Sequence, residues 1–191
     1  MYIRVIILFL FFYSYAFLRY HIGSKVSYSE WYFILNKAFS WFSFTLIGFS
    51  ILSKKWFKNR QLKRKNSAII GFIFALIHLN SIIFLFSYEH YPVFYLDEQH
   101  ISFLGYCIIC VGILALICFF IALCSSLNLI SKKYLKFGYF GFIIILIHPF
   151  LIGFQKWFIF WKWPIYLPPI TLIAFLSGII LLIFRLSNHK K

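Results

Sequence analysis

The chain reads as an all-α integral membrane protein, a six-helix bundle with both termini cytoplasmic, and three observations predict this. Of its 191 residues, 63% are hydrophobic and 24% aromatic, while only 12% are charged, about half the usual share for a soluble domain. Apolar windows with few or no charges, of the roughly 18 or more residues needed to cross ~30 Å of hydrocarbon, recur six times. The basic residues between these windows fall mostly on one side of a six-span arrangement.

The windows lie at 1–19, 31–53, 67–88, 101–125, 137–155 and 168–185. The first starts with only Arg4 and is followed by "YSYAFLRYHIG", a poor small-residue cleavage site; a retained helix is expected rather than a secretory signal. The second carries Asn36, Ser40, Ser43, Ile47 and Ser50 at alternating steps of four and three. That spacing sets them on one face, which should point into the bundle because lipid cannot satisfy polar groups. Lys37 borders the stripe, and either snorkels to the headgroups or points inward. The fourth window holds Cys107 and Cys110 as C-x-x-C, with Cys118 and Cys124 beyond. On an apolar helix such cysteines are expected as small packing residues.

Orientation follows from the connections. "KKWFKNRQLKRK" holds seven Lys/Arg, the 132–136 connection three and the tail from Arg185 three more; with Arg4 these make fourteen of nineteen. Short basic loops face the cytoplasm. All four acids, Glu30, Glu89, Asp97 and Glu98, fall in the opposite connections, as does the aromatic "WFIFWKWPIYLPP". The net charge of +15 is explained by this topology and by attraction to anionic lipid, so no nucleic-acid partner is expected. The connections are short, and a single transmembrane domain over 1–191 is the economical reading.

Six histidines are present. His21, His90, His100 and His189 fall in connections or the tail, and only His78 and His148 lie inside spans. His78 is thirteen positions past Lys65 and His148 twelve past Lys136, which sets both imidazoles ~18–20 Å from the basic boundary on helices running the same way. Gly71 and Gly141 each precede a histidine by seven residues, returning to within ~20° of the same face and leaving room for a flat ligand. Two neutral imidazoles facing each other in a bundle suit the axial positions of haem iron. Without a C-x-x-C-H sequence the haem would be b-type and non-covalent. Taken singly, an intramembrane histidine more often makes one interhelical hydrogen bond, here with Asn80 or a serine of the second window. Pro149 follows His148 and frees the carbonyl of Ile145, allowing a kink. An inward Lys37 would lie where the haem propionates emerge. Intramembrane acids of the kind ion-coupled transport uses are missing from the spans.

The order of basic loop, "GFIFALIHL", acidic loop, fourth span, basic loop, "YLKFGYFGFIIILIH" and final span resembles the ferric reductase-like transmembrane domain, whose members include the haem-bearing membrane subunit of the bacterial methionine-sulfoxide reductase system. The resemblance covers roughly 31–186. It implies one haem b held by His78 and His148, in a bacterial inner (plasma) membrane. It further implies electron transfer between a membrane or partner donor, such as a quinone, and an acceptor on the outer face. The family's usual second histidine, thirteen residues before the outer one, is Leu135 here, so an inner haem is not expected. The chain contains no dinucleotide-binding fingerprint, so no flavin is expected from it. It is at most the membrane half of an oxidoreductase, completed by a redox or structural protein partner. The other reading is a non-catalytic membrane subunit on the same fold, with haem lost or only structural.

Overall fold

The computed structural model describes residues 2–22, 31–52 and 61–187. Six helices order the chain: α1 (Tyr2–Phe17), α2 (Trp31–Leu52), α3 (Gln61–Leu85), α4 (Phe103–Ser126), α5 (Lys136–Trp157) and α6 (Ile170–Ser187). All six spans are long and apolar enough to cross a membrane, and the chain is an integral membrane protein of all-α class. Among the described residues there is no strand, only an isolated bridge between Tyr95 and Ile101. Glu30, most of the first basic loop and His189 lie outside the described residues.

Element boundaries depart from the apolar windows in one informative place. Helix α3 begins at Gln61 rather than 67, because Gln, Leu, Lys and Arg are good helix formers whose long side chains lose little freedom on a helix. Hydropathy detects the bilayer, not the end of the helix. At the other end of the first span, α1 runs on as a π-helical turn, Leu18–Ile22.

Helix α2 is the hub. Its span is 61% buried against 11% for α3 and 17% for α4, so lipid meets α3 and α4 while α2 is enclosed by protein. The polar stripe does face inward: Asn36, Ser43, Ile47 and Ser50 are all buried. Ser43 donates to the Gly71 carbonyl at 2.8 Å, tying α2 to α3, while Ser40 and Ser50 return to carbonyls of their own helix. Phe9 and Phe12 of α1 pack on Phe42 and Trp41 of α2, and Phe44 stacks on Phe142 of α5 at 5.2 Å.

One end of the bundle is basic. The last carbonyls of α2 lack intrahelical donors, and two guanidinium groups supply them: Arg64 Nε donates to Ser50 O and Arg185 to Ile51 O, both at 3.0 Å. The negative end of the α2 dipole thus meets positive charge. At the opposite end, Tyr15 donates to the Pro168 carbonyl and Arg19 to that of Leu167, pinning α1 to the aromatic connection before α6.

The 86–102 connection folds over this second end. Phe33 of α2, Tyr91, Phe94 and Ile108 of α4 form a buried cluster there. Ser102 caps α4 by accepting from the Gly105 amide at 2.9 Å, a standard N-cap.

Candidate functional site: an intramembrane histidine pair

His78 is carried on the face of α3 turned to α2. Its Nδ1 lies 2.6 Å from Asn36 Oδ1, and the Asn36 amide nitrogen donates to the Tyr91 hydroxyl, also at 2.6 Å. With its nitrogen committed to Tyr91, Asn36 offers His78 only an acceptor, so Nδ1 is the protonated nitrogen. A chain of hydrogen bonds therefore runs from the end loop through α2 to α3. Tyr91 is buried, which together with nearby Tyr20 pushes its phenol up to about 12 against the lowering effect of the Asn36 bond; it stays neutral at physiological pH.

His148 is held differently. Its Nδ1 lies 3.1 Å from the backbone carbonyl of Ile108 on α4, again an acceptor, which fixes the same tautomer. A Cβ on Gly112, one turn further along α4, would come within 3.3 Å of the His148 ring. Pro149 is buried inside α5, which runs through it as one helix.

Both rings thus keep the Nε2 lone pair. Among the described residues no hydrogen bond engages either Nε2 atom. Anchoring at Nδ1 with Nε2 open is the arrangement metal-binding histidines adopt, since the second bond fixes the tautomer and raises ligand basicity.

Lys37 takes neither of its two expected positions in pure form. It is half-buried, turned toward the loop-covered end, with Nζ 4.3 Å from the centre of the Tyr91 ring and 4.6 Å from that of Phe33. Two aromatic faces stabilise the ammonium. Among the described residues the one ion pair is Asp97 with His100, so no carboxylate neutralises Lys37 there.

The two glycines have a different role from the one expected. A Cβ on Gly71 would lie 2.9 Å from Ile47 Cγ1 and 3.1 Å from its backbone nitrogen, and one on Gly141 would lie 2.8 Å from Cys118 Cβ. The space beside each is taken by the neighbouring helix, α2 and α4 respectively, so they allow close helix approach rather than leaving a slot below the histidines. The partner suggested for His78 is corrected as well. Asn80 is exposed on the far side of α3, and the amide that meets the ring is Asn36.

Sequence reading missed Tyr91 altogether. A tyrosine in a loop has no periodicity to reveal that it turns back into the bundle. A cavity of about 320 Å³ opens elsewhere, bounded by Tyr13, Phe17, His21, Trp31 and Ile34 of the α1–α2 region. Cys107, Cys118 and Cys124 are half-buried and Cys110 exposed, all as free thiols. No group of three or more metal-ligating side chains occurs among the described residues; a haem site asks for two.

The described residues therefore form six membrane-length helices, with two Nδ1-anchored histidines inside the spans, one on α3 and one on α5. Compared with known proteins, the chain matches no protein-family model and no curated protein.

Proposed function

We propose that the chain is a haem b-binding membrane electron-transfer subunit of the ferric reductase-like type, in which His78 and His148 would hold the haem. The observation that carries this reading is the shared state of the two rings: each donates from Nδ1 to a fixed acceptor and keeps Nε2 open. Bound haem supplies a one-electron centre, the iron passing between ferric and ferrous states. In this reading Asn36 and the Ile108 carbonyl orient the ligands and strengthen them as donors. Lys37, held between the Tyr91 and Phe33 rings with no carboxylate partner among the described residues, would offset the propionate charge. The apolar walls of the spans keep water away from the centre. Both termini are cytoplasmic, the membrane is a bacterial inner membrane, and electrons come from a membrane or partner donor such as a quinol and leave at the outer face.

The visible spectrum of the protein purified from membranes tests it. A Soret band lost in both His78→Ala and His148→Ala, and weakened in Lys37→Leu, supports the reading; a colourless wild-type preparation from haem-replete cells overturns it. The filled space beside Gly71 and Gly141 favours a second reading, a non-catalytic membrane subunit in which the histidines only join helices. Co-purification of a stoichiometric partner with no reducible haem would select that one.

A further inference from the structure

Helix α3 has two faces with opposite chemistry. Successive residues are ~100° apart, so Asn80 stands about 160° round the helix from His78. His78 faces α2, and Asn80 lies exposed among Ile73 (48% exposed), Leu76 (44%), Ile77 (38%), Ile83 (69%) and Phe84 (82%). It lies five residues before the last residue of the helix, Leu85, about 7.5 Å along the axis, within the apolar span Arg64–Leu85. No hydrogen bond is made by its amide among the described residues. An amide turned to hydrocarbon without a partner is costly.

The surrounding residues say what covers it. Ile73, Leu76, Asn80 and Ile83 recur at steps of three, four and three, the a and d positions of a heptad, with Ile77 and Phe84 beside them. Asn80 takes an a position, where one buried asparagine sets the register of a parallel two-stranded coil. An amide carries both donor and acceptor, so it complements itself across a two-fold axis. Two copies in one membrane share an orientation; the axis then lies along the membrane normal, the two α3 helices run parallel, and Asn80 meets Asn80. Phe74 on one flank packs against Phe9 of α1, and Phe72 on the other against Phe120 of α4. The strip between them is open, with Leu79 (39% exposed) beyond the Phe72 flank.

We propose that the protein forms a homodimer through this strip of α3, closed by a hydrogen bond between the two Asn80 amides. This is independent of haem binding, since the strip is the side of α3 away from His78.

The test is energy transfer between donor- and acceptor-labelled copies of the full chain in phosphatidylcholine vesicles, across a dilution series of protein in lipid. Self-association is expected, weakened about 3- to 20-fold in Asn80→Leu, the range measured for interhelical polar contacts in membranes, and largely retained in Asn80→Gln. In a background with the four native cysteines replaced by alanine, Ile73→Cys and Ile83→Cys should each cross-link to the same position in the partner copy, whereas Phe74→Cys should not. A protein that stays monomeric at every dilution, a dimer indifferent to Asn80→Leu, or cross-links only outside the strip would overturn the proposal. So would capture of the strip by a different membrane protein in place of a second copy.

Discussion

The two histidines sit in two helix pairs built on different principles. On the α2–α3 side, His78 is held by a side chain, Asn36, which is itself held by Tyr91 of the 86–102 connection, and Ser43 adds a bond to the α3 backbone. On the α4–α5 side, His148 is held by a main-chain carbonyl, and the pair closes tightly at Gly141 against Cys118. The difference teaches where each anchor can fail. A backbone carbonyl survives any change of its own side chain, whereas a side-chain relay can be cut at two residues and depends on a loop keeping its shape.

The largest effects should come from forcing the helices apart. Gly71→Leu and Gly141→Leu each place a bulky group where the neighbouring helix already stands, and overpacking of this kind costs about 1–3 kcal/mol or more. Thermal unfolding in detergent should show both variants strongly destabilised; if either is as stable as the wild type, the corresponding pair is not in the close contact described. Next in size, Asn36→Leu should cost about 1–3 kcal/mol, because it leaves the buried Tyr91 hydroxyl and the His78 N–H unsatisfied together. Ile108→Val, by contrast, keeps the His148 acceptor and should cost at most about 1.5 kcal/mol, from packing alone. Equal losses in these two variants would erase the asymmetry between the pairs. Tyr91→Phe removes one bond of the relay and should fall near 1 kcal/mol.

The smallest effect concerns the loop on which the relay depends. Hydrogen bonds from the Gln99 and His100 amides and from the His100 ring hold the exposed Asp97 carboxyl below its ordinary 3.8. With the native value below the unfolded one, this stabilisation is present above about pH 4 and is lost as pH falls through the depressed value. Protection factors of the Gln99 and His100 amides, their exchange measured against the intrinsic rate at the same pH, should therefore be steady near neutrality and fall in acid, and in Asp97→Asn that fall should vanish. Protection in that variant that still falls in acid would assign the loop's pH response to another group.

Several elements of the fold were legible along the chain, and their legibility has one cause. The six spans follow from hydrophobic length, and the inward stripe of α2 follows from steps of three and four on a helix. Both are properties of one segment and its solvent. Helix α3 as described reaches back to Gln61, ahead of the apolar window, because lysine and arginine serve helices as well as they leave membranes.

The candidate site divides along the same line. Residue type and depth single out His78 and His148 from the sequence alone, because an imidazole in hydrocarbon needs a partner wherever the helix is placed. Which partner it takes belongs to tertiary structure. Asn36 rather than Asn80 meets His78, Tyr91 folds back from a loop to complete the relay, and Gly71 and Gly141 are occupied by adjoining helices. Each depends on which helices are neighbours and at what rotation, and those are settled by contacts between segments far apart in the chain, where no local period carries a signal.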